Sequence, residues 1–236
     1  MNTGEIQPDN YSQLLILEHT GDRDLVTLEK TGPTWNYFIG EHVFYDTVYP
    51  NDSDTASLAM LVLEDITPEE EAFAVQEILS HLSPDGLPYC WLQTSRPRFC
   101  HVICANVFRY FYLSNQIDKL PNIYQYLCRL LRTEAYLLGT RYYENPDWFL
   151  FLLSDIQDRM GCDKNIFGAA LRSLAAQALG MMNKKDIKIL LETQQMDGGR
   201  ERQWLWRYGK EVVKIGSRGV VTAMAVGAIK QAREDA

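Results

Sequence analysis

No apolar run in these 236 residues approaches the roughly 20 that a bilayer span needs. Residues 1–20 also lack the basic-then-apolar order of a secretion signal. A soluble, cytoplasmic protein is therefore expected. Basic charge is scarce too: Lys plus Arg number 23 against 31 for Asp plus Glu, a formal charge of −8. With no broad basic face to meet a phosphate backbone, a nucleic-acid partner is excluded. Cysteines are few and odd in number (Cys90, Cys100, Cys104, Cys128 and Cys162), and most lie in apolar segments, which reads as buried, reduced thiols. Cys100, His101 and Cys104 share one predicted helix, but a zinc site needs a second ligand pair at comparable spacing, and none is found. Strand-like alternation is hard to find, and no linker splits the chain. Apolar residues at 46% and charged residues at 23% fit one sizeable core, so the expectation is one all-α globular unit.

What is present reads as helix after helix. Thr67-Pro68-Glu69-Glu70 is a helix start: Thr67 caps, Pro68 suits the first turn, and Glu70 completes a capping box. That helix runs to about His81 and stops at Ser83-Pro84-Asp85-Gly86. Another spans about 99–113, with Val102, Ala105, Val107 and Tyr110 among its apolar members. Residues 122–138 keep Ile123, Leu127, Leu130, Leu131 and Leu138 near a 3.6-residue period until Gly139. Pro146 opens a helix that Gly161 ends. Residues 165–180 carry Ala169, Ala170, Ala175, Ala176 and Ala178, a small-residue face that lets helices pack closely. Two more helices follow at about 184–195 and 219–233. An N-terminal helix covers Tyr11 to Glu18, with a shorter one near Leu25.

Two loops share a grammar. Asp85-Gly86 leads to Trp91, and Asp197-Gly198-Gly199 leads to Trp204-Leu205-Trp206. Both place Asp-Gly after a helix and aromatics before the next, which suggests a repeated helical hairpin. A stacked or closed ring of helical pairs explains that economically.

Asp52 and Asp54 open the apolar run Leu58-Ala59-Met60-Leu61-Val62-Leu63. Two carboxylates there have two readings. Either acid is a helix cap, or the pair faces a pocket and does proton chemistry. Thr55 and Ser57 serve either reading, by bonding the acid or by capping. A working acid requires burial and the neighbouring charge to outweigh the helix N-terminus, which favours the ionised form. Trp35, Tyr37, Phe38, Phe44, Tyr45 and Tyr49 cluster just before the pair, with Trp91, Trp148 and Phe149 as further aromatic candidates.

Gln194-Gln195-Met196-Asp197-Gly198-Gly199 resembles the Q-x-x-D-G-x-W repeat of squalene-type cyclases, with Arg200 in place of the tryptophan. Asp52-Ser53-Asp54-Thr55-Ala56 resembles D-x-D-T-T, with Ala56 for the second threonine. The likeness extends to Thr94-Ser95-Arg96-Pro97-Arg98, Cys104-Ala105-Asn106-Val107, Gly139-Thr140-Arg141-Tyr142-Tyr143 and Lys214-Ile215-Gly216-Ser217-Arg218-Gly219. Over residues 35–230 the chain thus resembles the α/α-toroid terpene cyclases, in particular the class II domain of drimane-type enzymes that also carry a haloacid-dehalogenase-like domain. No such second domain lies within these residues.

The resemblance implies a single α/α-toroid over 35–236, with residues 1–34 as an N-terminal helical segment packed on it, closing its pocket within one domain or at a homodimer interface. It implies Asp54 as the acid that protonates a small hydrophobic terpenoid, Asp52 as the neighbour that raises its pKa, and Thr55 beside them. Aromatic faces would stabilise carbocations and exclude water. Trp35, Tyr37, Phe38, His42, Tyr45, Tyr49, Trp91 and Trp148 are the expected substrate contacts. If the substrate carries a diphosphate, Arg96, Arg98, Arg141, Lys214 and Arg218 are the cations to hold it, and Mg2+ is implied by family analogy only. The D-D-x-x-D metal motif of ionisation-dependent synthases is missing. Two further readings stand beside the cyclase. In a pericyclase the pocket folds a diene and dienophile for an intramolecular Diels-Alder reaction, with His42, Tyr45, Arg96 or Arg98 as hydrogen-bond donor. In a non-catalytic helical binding module the acidic motif is only a cap.

Overall fold

The structure, a computed structural model, describes residue 4 and residues 6–30, 32–41, 49–153, 166–178, 182–207 and 213–234. The chain divides into two compact units. The first comprises Ile6–Leu17 and Arg23–Tyr136; the second comprises Met1–Glu5, Glu18–Asp22 and Leu137–Ala236. The described residues are mostly helical, with one small sheet. Among them no helix is long and apolar enough to cross a membrane.

In the first unit, α1 (Asn10–Thr20) starts on Asp9, whose carboxylate accepts bonds from Ser12 N at 2.6 Å and Ser12 Oγ at 2.8 Å. Asn10, fully buried, uses its amide to hold two strands of loop. Its Nδ2 donates to Glu29 O at 2.8 Å and Asn36 O at 2.9 Å, and its Oδ1 accepts from Glu29 N at 2.9 Å. Segment 35–39 is thereby laid along the start of α1, with Asn10 N bonded to Tyr37 O at 2.7 Å. A buried polar side chain that satisfies three backbone groups fixes a loop as firmly as a short ladder does.

Helix α2 (Ser53–Val62) is the deepest element of this unit, with Ser53 to Ala59 all buried. α3 (Pro68–Ser80) begins with the expected capping box between Thr67 and Glu70. α4 (His101–Leu113) packs on α2, and Val102, Cys104, Ala105 and Val107 lose all exposure. Burying Leu58 of α2 completely contributes on the order of 2 kcal/mol to that contact. α5 (Ile123–Arg132) lies against α4 through Ile123 and Leu127. It stops earlier than its 3.6-residue period suggests: Glu134 turns left-handed at φ 54°, and a 3-10 turn, Ala135–Leu138, follows.

In the second unit, α6 (Asp147–Leu152) buries Trp148, around which the rings of Tyr143, Phe151, Phe167 and Trp206 gather at 4.9 to 6.1 Å. The rest of the helix expected from Pro146 to Gly161, and Cys162, lie outside the described residues. α7 (Ile166–Ala178) sets its buried Ala169, Ala170, Ala175 and Ala176 into close packing with α9 (Arg218–Glu234) and α8 (Lys184–Glu192). Gln177 Nε2 donates across that contact to Ala228 O at 2.8 Å. Arg172 of α7, 1% exposed, bonds Asp186 through Nε at 2.9 Å and Nη2 at 3.0 Å, and Asp147 through Nη1 at 2.8 Å.

The sheet corrects the all-α expectation. β1 (Gln203–Arg207) pairs antiparallel with β2 (Lys214–Ser217), and the register slips between Trp204 and Trp206. That bulge puts Leu205 and Trp206 both in the interior and hides the two-residue period from the sequence. Gly216 is required there: a Cβ would meet Gln203 O at 2.6 Å and the Trp204 ring at 2.8 Å.

Candidate active site

The first unit holds the acidic pair, and backbone pairing places it. Asp52 N donates to Trp35 O at 3.3 Å, Ser53 N to Cys90 O at 2.9 Å, and Leu92 N to Asn51 O at 3.0 Å. Asp52 and Trp91 therefore face each other as a single antiparallel bridge. Three chain segments, about 35, 52 and 91, meet at the start of α2.

Asp52 is the N-cap of α2: its Oδ1 accepts from Thr55 N at 2.6 Å. Its other oxygen, Oδ2, is buried and finds no hydrogen-bond partner among the described residues. Burial pushes the Asp52 carboxyl up from 3.8 to about 8; the nearby Asp54 charge adds to this, and the Thr55 N–H offsets part of it. Desolvation thus outweighs the helix end at this carboxyl. Asp54 lies one turn-position further in, 6% exposed. Its Oδ1 accepts from Asn106 Nδ2 of α4 at 2.7 Å, and the same nitrogen reaches Asp54 O at 3.2 Å.

Trp35 Nε1, Thr55 Oγ1, Ser57 Oγ and Asn106 Oδ1 are further buried polar atoms with no partner among the described residues. Native interiors leave few such atoms, so these make the start of α2 a candidate site. Asn106 had no assigned role in the sequence. Its signal was there: an amide in the middle of the apolar run Val102 to Phe111 needs a buried partner.

Aromatic rings lead away from the pair as a row of contacts. Tyr11 stacks on Tyr37 at 6.4 Å; Tyr37 meets Phe38 edge-on at 4.9 Å, Phe38 meets Tyr49 at 4.9 Å, and Tyr49 meets Trp91 at 6.5 Å. Trp91 Nε1 donates to Tyr49 Oη at 3.4 Å. Burial, then the Asp9 charge, holds the Tyr37 phenol well above its ordinary range, so this ring stays neutral. Arg96 and Arg98 stand over Trp91, with Cζ at 6.0 and 5.6 Å from the ring centre.

Of the residues expected at the site, Trp35, Tyr37, Phe38, Tyr49, Asp52, Asp54, Thr55, Trp91, Arg96 and Arg98 belong to this unit. His42 and Tyr45 lie outside the described residues, as does Phe44. Trp148, Arg141 and Arg218 belong to the second unit. Trp148 is wholly buried in its aromatic cluster. Arg218 Nη2 is engaged by Asp197 at 2.6 and 2.7 Å and by Gln195 at 2.9 Å, and its Nε donates to Arg200 O at 2.9 Å. Arg218 thus ties the Gln194–Arg200 turn to the start of α9. Gly199 permits this, since a Cβ there would meet Arg218 Nη2 at 2.3 Å.

Cys90, Cys100 and Cys104 are buried thiols outside any disulfide, and burial pushes Cys90 and Cys104 well up, towards the unreactive form. Among the described residues no three His, Cys, Asp or Glu side chains gather to hold a metal ion.

The raised Asp52 pKa has a measurable consequence. An unfolded Asp releases its proton near pH 3.9, whereas the folded carboxyl keeps it to about 8. The contribution of Asp52 to stability is complete below the unfolded value and is lost as pH rises through the folded one. Asp9, pushed by burial to about 6, acts in the same sense over a lower window. The melting temperature should therefore fall between about pH 5 and about pH 8. Asp52→Asn, which keeps a capping side chain, should flatten the upper part of that fall. An unchanged slope would mean that Asp52 is ionised in the fold.

Residues 1–114, which contain the whole acidic and aromatic constellation, match the family described as the sesquiterpene cyclase astC-like C-terminal domain. The chain is also similar to drimenol cyclase drtB of Aspergillus calidoustus, 34% identical over 242 residues. That match covers 94% of this chain and 46% of the relative, so the chain spans about half the length of that curated protein. Taken with the buried acids and their aromatic surround, both likenesses support a terpene cyclase family.

Proposed function

We propose that this chain is a class II-type terpenoid cyclase domain on an α/α-toroid, in which Asp54 starts the reaction by protonating an alkene of an isoprenoid substrate. The observation that carries the reading is the Asn106–Asp54 bond beside the raised Asp52 carboxyl. Asn106 donates to Oδ1 of Asp54 and so orients that carboxyl for the transfer. The Asp54 O–H bond breaks, leaving a carboxylate, and its proton passes to the less substituted carbon of the terminal alkene: a C–H bond forms, the double bond's electron pair is consumed, and the neighbouring carbon becomes a tertiary cation. The next double bond attacks the cation and closes a ring, and the last cation is quenched by loss of a proton or addition of water. Phe38, Tyr49 and Tyr37 present ring faces that stabilise positive charge without supplying a nucleophile. Two adjacent buried charges repel, so the pair holds one proton between its carboxyls at neutral pH, and Asp54 is the member that delivers it.

The match to a sesquiterpene cyclase domain and the similarity to drimenol cyclase favour a C15 isoprenoid as substrate. Purified protein given farnesyl and geranylgeranyl diphosphates, and separately a phosphate-free cyclic diene, distinguishes the readings. Cyclic products from a diphosphate support the cyclase. Turnover of the diene alone supports a Diels-Alder pericyclase and removes protonation from the scheme. Inertness towards all three supports a binding module.

The role of Asn106 is separable from folding. Asn106→Leu keeps the side-chain volume but removes the donor, so kcat should fall by about 10- to 100-fold, with KM little changed. A hydrogen bond to the charged form lowers a carboxyl's pKa, so its loss should move the pH–rate profile upward. A normal profile in that variant would assign Asn106 to packing.

A further inference from the structure

Three aspartates of the first unit are buried among the described residues: Asp9, Asp52 and Asp54. Asp52 and Asp54 serve the acid step, which leaves Asp9. Backbone pairing brings Asp9 to the same aromatic row. It faces Phe38 as a single antiparallel bridge, flanked by bonds from Asn10 N to Tyr37 O at 2.7 Å and from Ile39 N to Pro8 O at 3.2 Å. Segment 35–39 therefore holds Asp52 at Trp35, through the bond from Asp52 N to Trp35 O at 3.3 Å, and Asp9 at Phe38. Three residues separate the two pairings, a span of about 10 Å at most. Tyr37 lies between them. Burial first, then the charges of Asp9, Tyr49, Asp52 and Tyr11, hold its phenol up, so one hydroxyl feels both acids. Asp9 also caps α1, but Ser12 N and Oγ occupy only two of the roughly four acceptor positions of a carboxylate.

Resting on the cyclase reading above, we propose that Asp9 is the base that ends the cyclisation, taking the proton that the last carbocation loses. A C–H bond beside the cationic carbon breaks, its electron pair forms a C=C bond, and the proton passes to a carboxylate oxygen of Asp9. One proton enters from Asp54 and one leaves to Asp9, so substrate and product are isomers. The last cation of a fused bicycle forms a ring away from the carbon first protonated, so its base must stand apart from the acid. Asp9 does, within the span of segment 35–39. Its ionisation suits the task. Burial pushes Asp9 up only to about 6, so it is a carboxylate at neutral pH, whereas Asp52 is pushed to about 8 and keeps the acid pair supplied. Both ends therefore reset by exchange with water after each turnover. A base that is 6% exposed also brings little water to the cation, which favours proton loss over hydration.

Product analysis of the full chain with farnesyl diphosphate tests the assignment. Wild type should give a bicyclic alkene isomeric with its substrate. Asp9→Asn and Asp9→Ser each keep a capping side chain, so both should melt near wild type and still begin cyclisation. Without the base, water adds to the last cation, and the ratio of alkene to ring-hydroxylated product should fall by at least about tenfold. Ser12→Ala loosens the cap but keeps the base, and should retain the wild-type ratio. An unchanged ratio in both Asp9 variants, or the same fall in Ser12→Ala, overturns Asp9 as the base and leaves the cyclase standing. A wild-type product that carries a ring hydroxyl does the same. A wild-type chain that cyclises nothing overturns both.

Discussion

Asp54→Asn is expected to lower cyclisation of farnesyl diphosphate by about 10²- to 10⁴-fold, the range over which a positioned general acid contributes. The substitution is close to isosteric. Its amide oxygen still accepts from Asn106, which bonds Oδ1 of Asp54 at 2.7 Å, and Asp52 still caps α2 through Thr55 N. Melting temperature and diphosphate binding should therefore stay near those of the parent, while the transferable proton is gone. Asp52→Asn makes the informative partner. It keeps a cap but removes the neighbouring acid, so its activity should fall less and its pH–rate profile should shift. An Asp54→Asn variant that retains most of its turnover would end the protonation scheme.

Arg172→Met is expected to be the most destabilising single change, costing about 3–5 kcal/mol. The wild-type guanidinium is 1% exposed and bonds Asp186 through two nitrogens and Asp147 through a third. Burial alone would lower its pKa, but the bonds and charges of Asp186 and Asp147 outweigh that and raise it. Methionine fills the space and leaves two carboxylates without their cation, one of them, Asp186, wholly buried. Asn183 still donates to Asp186 Oδ2 at 2.7 Å, which tempers the loss without neutralising the charge. Because orphaned charge is the cost, adding Asp147→Asn and Asp186→Asn to Arg172→Met should recover part of the stability. Urea or thermal unfolding measures both steps. A single variant within about 1 kcal/mol of wild type would show that the network contributes little.

Much of the architecture could be read before any coordinates. Thr67 and Glu70 announce their capping box because both partners lie within four residues. The alanines of α7 and the apolar run of α4 announce their burial because helical period is a local property. Asp52 and Asp54 stood out because paired acids before an apolar run carry a desolvation cost wherever the chain folds. Elements fixed by distant partners were harder. β1 and β2 leave no local signal because each is short and a bulge at Trp204–Trp206 breaks the alternation. α5 ends before its apolar period does because the left-handed turn at Glu134 leaves no periodic trace.

The sequence by itself determined the helical class, the caps, the scarcity of basic surface and the acidic motif with its aromatic neighbours. These follow from spacing and composition along the chain. Only the tertiary structure decided that Asp52 is the cap and carries the raised pKa, that Asn106 grips Asp54 from 52 residues away, and that both arginines stand over Trp91. Desolvation, hydrogen bonds and ring contacts depend on which distant segments close around a group. Proximity of that kind is a property of the folded chain, not of its local order.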